Sequence, residues 1–183
     1  MGSFIAQCIA LSEPEKVANL VLIGTAVTAD NSVLRAVHAE TMKFGEHVPS
    51  DFIENFQGGT CVGPLDPSMS VDEIVSESSL LPAHVWSSAL KGLVDYRPAS
   101  FDEGALRSLQ TRTFVLGGCL DEIFVEQAQR KLADSLPNST IWLDTRCGHC
   151  PNWEKPERTA GQIAKFLGTG ANWQFPSTEL LTG

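Results

Sequence analysis

No run of Lys and Arg occurs anywhere in the 183 residues, and acidic side chains outnumber basic ones by 22 to 13, for a formal net charge of −9. Nucleic-acid binding relies on clustered cations laid against phosphates, so no nucleic-acid partner is expected. Long hydrophobic runs are missing too. Nothing approaches the roughly 18 consecutive apolar residues of a membrane-spanning helix, so no membrane partner is expected either. The N-terminus has no positively charged stretch ahead of its apolar residues, which argues against a secretory signal and for a cytoplasmic protein. Cysteine is sparse and odd in number: Cys8, Cys61, Cys119, Cys147 and Cys150. Reduced thiols are the expectation. There is no internal repeat and no low-complexity tract. What remains is ordinary for a globular protein, at 43% hydrophobic and 19% charged residues, and the length suffices for one domain with a buried core.

Apolar periodicity divides the chain. Residues 4–12 are greasy on nearly every side, with Phe4, Cys8 and Leu11 on one stripe and Ile5 and Ile9 on the next. That pattern predicts a buried helix, although nothing before it is there to cover it. Val17 to Ile23 reads as a short buried strand closed by Gly24, Thr113 to Leu116 as a second, and Thr140 to Leu143 as a third. Amphipathic helices are predicted from Glu126 to Leu136 and from Pro156 to Leu167. Residues 30–100 are helical pieces broken by Pro49, Gly58-Gly59, Pro64, Pro67 and Pro82. Alternating buried strands and helices argue an α/β fold whose parallel sheet is flanked by helices. Three strands make a thin sheet, and a first strand without an upstream partner leaves an open edge through which copies of the chain could associate.

Two stretches are more specific than these patterns. Gly148-His149-Cys150-Pro151-Asn152-Trp153-Glu154-Lys155-Pro156 resembles the loop that carries the catalytic histidine in the α/β-hydrolase superfamily. Met1-Gly2-Ser3-Phe4-Ile5-Ala6-Gln7 resembles the segment directly after the nucleophile of a Gly-x-Ser-x-Gly elbow, with Met1 and Gly2 as its last two positions. Gly118-Cys119-Leu120-Asp121 is similar to the family's acid turn. The segments Val48-Pro49-Ser50-Asp51-Phe52 and Leu81-Pro82-Ala83-His84-Val85-Trp86 resemble the cap of single-domain esterases, enol-lactonases and epoxide-hydrolase-like proteins. The resemblance extends to Leu167, with Arg112 standing where the family often has Pro. It implies the C-terminal part of an α/β-hydrolase fold: core in residues 1–29 and 101–168, a helical cap insertion in 30–100, and a tail in 169–183. The front of the domain, nucleophile included, would then lie ahead of Met1. Met is common directly after the nucleophile in such elbows, so an internal methionine read as a start is expected.

For chemistry, the resemblance implies a nucleophile, a histidine base and an acid that orients it. His149 is expected as the base and Asp121 as the acid. Asp121 would otherwise be a helix N-cap, and Asp30 is the alternative acid. Met1 would supply a backbone N–H to the oxyanion hole, although at a chain start that group is a free amine. A serine nucleophile is favoured over aspartate, because the aspartate-using relatives carry Trp rather than Met next. Ser3 is not expected in that role, having no strand before it and Ile5 where a small residue is needed. His38, His47 and His84 have no comparable context, and Asp144 reads as a turn residue. Cys147-x-x-Cys150 lacks both the helix-opening position of a redox pair and the second ligand pair of a zinc site. Phe44, Phe52, Ile53, Phe56, Val85, Trp86 and Leu90 would either line a pocket or pack the cap.

The implied activity is cofactor-free hydrolysis of a small apolar ester or lactone, with no metal and with doubtful turnover in a chain that lacks the nucleophile. The alternative is a non-catalytic homologue that binds an apolar ligand or a protein partner.

Overall fold

Asn19–Ile23 (β1), Arg112–Gly118 (β2) and Ser139–Asp144 (β3) form a parallel three-stranded sheet in the order β1-β2-β3, with β2 the most deeply buried. The computed structural model describes residues 1–67, 69–96 and 103–168. Residues 97–102 and the stretch 169–183, read as a tail from the sequence, lie outside the described residues.

The central strand shows why three layers form. Val115 faces a cluster of Ala10, Leu20, Leu22, Leu106, Leu132 and Leu136. Its neighbours Phe114 and Leu116 face the opposite side and pack with Phe166. Alternation with period two in a fully buried strand requires cover on both faces. Gly2–Ser12 (α1), Glu103–Ser108 (α6) and Glu126–Ser135 (α7) contribute to one cover, and Pro156–Leu167 (α9) makes the other. Phe114 and Phe166 stack with ring centroids 5.1 Å apart.

Between β1 and β2 run four further helices: Ser32–Thr41 (α2), Ser50–Gly59 (α3), Val71–Ser79 (α4) and Ala83–Val94 (α5). Side chains cap two of them, since Leu34 N–H donates to Asn31 Oδ1 at 2.9 Å and Glu73 N–H to Ser70 Oγ at 3.2 Å. Helices α2 and α5 pack on Phe4 and Phe124 above the carboxyl ends of the strands. A short helix, Pro151–Glu154 (α8), follows β3.

Local differences from the sequence reading have physical causes. The first strand begins at Asn19 rather than Val17, because Pro14–Lys16 form one 3₁₀ turn and Val17 N–H donates to Pro14 O. β2 runs on through Gly117-Gly118, which pair with Leu143 and Asp144 instead of turning away. The first helix is not buried all round. Its covered stripe is Phe4, Gln7 and Ala10, while Ile5 and Ile9 are 53% and 51% exposed. The buried Gln7 amide is carried by a hydrogen bond to Thr25 Oγ1 at 3.2 Å. Among the described residues, no helix is long and apolar enough to cross a membrane.

Candidate active site

Neighbouring strand ends bring two side chains together. Gly118 at the end of β2 lies opposite Asp144 at the end of β3. The loops leaving them therefore emerge side by side at the carboxyl end of the sheet, where open α/β sheets bind ligands. Asp121 stands on the first loop and His149 on the second. His149 Nδ1 is 2.9 Å from Asp121 Oδ2, with the aspartate side chain wholly buried and the histidine 22% exposed. The other aspartate oxygen, Oδ1, accepts the N–H groups of Ile123 at 2.8 Å and Phe124 at 2.9 Å. Asp121 thus organises the turn before α7 and orients the imidazole. A carboxylate that accepts from Nδ1–H would leave Nε2 as the nitrogen with the lone pair.

Close backbone approach fixes where the ring sits. Gly24 follows β1 at φ +52°, and a Cβ there would lie 2.7 Å from His149 O and 2.9 Å from its Cε1 and Nδ1. A Cβ on Gly118 would lie 2.0 Å from Cys147 O and 2.2 Å from Gly148 O. Leu120 N–H donates to Cys147 O at 3.0 Å, joining the acid turn to the histidine loop. From the α3 side, Thr60 O accepts the N–H of His149 at 2.8 Å.

Glu154 completes this frame. The sequence pattern contained it without assigning it a role. It is 1% exposed, its Oε1 accepts Gly148 N–H at 2.7 Å and its Oε2 accepts Val62 N–H at 3.2 Å. The signal available in sequence was a Glu at a fixed offset from His149, but nothing there says that the carboxylate turns inward.

The ring of His149 opens on a cavity of about 220 Å³ walled by Phe4, Leu34, Phe56, Leu90, Phe124 and Trp153, with Met1, Gln57, Thr60 and Cys150 at its polar and thiol positions. Phe124 lies 5.6 Å from the imidazole, centroid to centroid. Of the aromatic and aliphatic residues read as pocket or packing, Phe56 and Leu90 line this space. Phe44, Phe52, Ile53 and Trp86 belong to a core between α3, α4 and α5, on which Phe56 also packs. Phe52 and Trp86 meet there edge to face at 6.1 Å.

The remaining residues singled out in the sequence are elsewhere. Ser3 Oγ donates to Ile23 O at 2.8 Å and accepts Ile23 N–H at 3.1 Å, so its hydroxyl is engaged with β1. Asp30 is paired with Arg35 at 2.5 Å. Asp144 turns the chain by accepting Arg146 N–H at 2.9 Å, and it also lies 3.0 Å from Arg158 Nη2. His38, His47 and His84 do not line the cavity. Met1 lines it. Burial, with Asp144 and Glu154 nearby, pushes the Cys147 thiol up to about 11. All five cysteines are free thiols. Among the described residues no group of three or more His, Cys, Asp or Glu is clustered as a metal ion would need.

The family model for the alpha/beta hydrolase fold matches residues 1–156. The chain is 26% identical over 177 residues to a Mycobacterium tuberculosis protein described as a non-heme bromoperoxidase, BpoC, covering 92% of this chain and 66% of that one. It is 28% identical over 174 residues to a 2-hydroxy-6-oxononadienedioate/2-hydroxy-6-oxononatrienedioate hydrolase of Paraburkholderia phymatum, covering 92% of this chain and 60% of the relative. An esterase from Exiguobacterium antarcticum superposes with a TM-score of 0.76 at 14% identity, covering 91% of this chain and 63% of that structure, a likeness of fold. The chain therefore spans just under two thirds of these proteins.

Proposed function

The chain belongs to the α/β-hydrolase family, and from that premise we propose that it carries the histidine and the acid of a serine hydrolase acting on a small carboxylic ester or lactone. The observation that carries the reading is the 2.9 Å contact between His149 Nδ1 and the buried Asp121, at the carboxyl end of the sheet and beside an apolar cavity.

In this reading His149 Nε2 takes the proton of a serine hydroxyl as that oxygen attacks the ester carbonyl, then returns it to the departing alkoxide. Water, deprotonated by the same nitrogen, releases the acyl group. Asp121 keeps the ring in the right tautomer and stabilises the imidazolium between the two proton transfers. The serine is assigned ahead of Met1, and Met1 contributes the backbone N–H of the oxyanion hole. Support comes from Met1 lining the same cavity as His149 and from α1 starting there, as the helix that follows a nucleophile elbow does.

The cavity favours a second reading, in which the residues given bind an apolar ligand beside His149 without turning it over. The test is hydrolysis of nitrophenyl butyrate by a form in which a strand ending in Gly-x-Ser precedes Met1. Hydrolysis that falls by several orders of magnitude in His149→Ala is expected. Hydrolysis that survives that substitution overturns the role of His149. Saturable ligand binding without turnover in any form selects the second reading.

A further inference from the structure

Two backbone segments far apart in sequence meet beside the imidazole. His149 N–H donates to Thr60 O at 2.8 Å, and Glu154 grips both Gly148 N–H and Val62 N–H. The residue after each partner of the first bond is a cysteine, Cys61 and Cys150. The backbone bond between Thr60 and His149 sets the two cysteines side by side in the chain segments it joins, each thiol is the largest influence on the other's proton affinity, and Thr60 Oγ1 lies 3.7 Å from Cys61 Sγ. Both thiols are free and half-buried. They stand in the wall between two cavities. Cys61 lines one of about 180 Å³, Cys150 lines the one that holds His149, and Gln57 and Trp153 border both.

We propose that Cys61 and Cys150 form a redox-responsive dithiol that closes to a disulfide across this junction, with a small-molecule disulfide of the glutathione type as oxidant. The Cys61 thiolate attacks one sulfur of the oxidant, whose S–S bond breaks. A mixed disulfide forms on Cys61 and one small thiolate leaves. Cys150 then loses its proton to solvent and its sulfur attacks the Cys61 sulfur, so the mixed disulfide breaks and the second small thiolate leaves. Two protein thiols are oxidised and one small disulfide is reduced to two thiols.

The order of attack follows from the surroundings. The contact with Cys150 lowers the Cys61 thiol, while the same contact and burial raise that of Cys150. Once Cys61 is capped, it no longer places a negative charge against Cys150. The Cys-x-x-Cys spacing suggests Cys147 as the alternative partner. Cys147 is fully buried, however, and burial holds its proton up to about 11. A Cys61–Cys150 bond would pin the turn after α3 to the histidine loop, and it would close a long loop of chain, which restricts the unfolded ensemble.

The experiment needs no turnover, so its outcome is independent of the hydrolase reading. The purified protein is incubated with oxidised glutathione, its thiols are counted, and its peptides are mapped by mass spectrometry without reduction. The expected result is loss of two of the five thiols, their recovery with dithiothreitol, and a Cys61–Cys150 cross-linked peptide. Cys150→Ser should stop at the glutathione adduct on Cys61, and Cys61→Ser should lose no thiol pair. The thermal midpoint of oxidised wild type should rise by several degrees. A Cys147–Cys150 cross-link, a thiol pair lost in Cys61→Ser, or an oxidised protein with no cross-link would each overturn the proposal. The wild-type map decides even if a serine variant fails to fold.

Discussion

Glu154 accepts the N–H of Gly148 at 2.7 Å from a position only 1% exposed, so a buried carboxylate holds the loop directly in front of His149. Its second oxygen, on Val62 N–H at 3.2 Å, extends that hold to the segment after α3. Glu154→Gln keeps one acceptor and turns an NH₂ group toward an N–H, leaving a buried donor unmatched. The expected loss is about 1–3 kcal/mol of stability, with a larger loss for Glu154→Ala, read by urea denaturation.

Asp121 serves two structures at once, the turn before α7 and the ring of His149. Asp121→Asn retains an oxygen for Ile123 and Phe124 but presents an NH₂ group to Nδ1, which favours the opposite tautomer. In a catalytically complete form, kcat should fall by about four orders of magnitude. Stability should change far less than in Asp121→Ala, which strips both backbone donors. Comparing kcat with the denaturation midpoint for the pair separates the two duties. Equal rates in the Asp121→Asn variant and the wild-type enzyme would refute the orienting role.

Glycines at strand ends differ sharply from glycines in helices. Gly118→Ala drives a methyl into backbone oxygens of Cys147 and Gly148, atoms that cannot swing aside. A cost of about 3 kcal/mol is expected, at the upper end of overpacking penalties. Gly161, inside α9, has nothing within 4 Å of the position a Cβ would take. Gly161→Ala should instead stabilise by roughly 0.5–1 kcal/mol through helix propensity. Opposite signs in parallel urea titrations are the check.

Alkaline pH probes Cys147. Its thiol rises from an ordinary value of 9.0 to about 11 in the fold, chiefly through burial. The folded chain thus keeps a proton that the unfolded chain releases. The stabilisation is complete below pH 9 and is lost as pH climbs from 9 toward 11. The wild type should lose about 1–3 kcal/mol over that interval relative to Cys147→Ala. Parallel stability profiles for the two proteins would count against it.

Much of the architecture was readable from local pattern. Val115 and its neighbours form a continuous apolar run, and such runs occur where a strand is covered on both faces, so the parallel sheet follows from residue type alone. The helix Pro156–Leu167 matches its periodicity end to end. The first helix shows the limit. Its apolar residues cover too much of the circumference for periodicity to choose a buried face, and packing on β1 selected Phe4, Gln7 and Ala10 over the stripe of Phe4, Cys8 and Leu11. The aromatic residues of α3 and α5 were equally ambiguous. Phe52 and Phe56, one helical turn apart, both pack on the core between α3, α4 and α5, and Phe56 also lines the cavity.

By itself the sequence determined the alternation of strands and helices, the family, and the identity of His149 and Asp121 as the residues to examine, because periodicity and short motifs are local properties. The tertiary structure decided what no local property encodes: the 2.9 Å approach of groups on two different loops, the inward turn of Glu154, and the bond from His149 N–H to Thr60 O that joins the histidine loop to the turn after α3. Each depends on where parallel strands end and on how closely glycine lets their loops approach, and contacts between distant segments are settled only when the sheet is assembled.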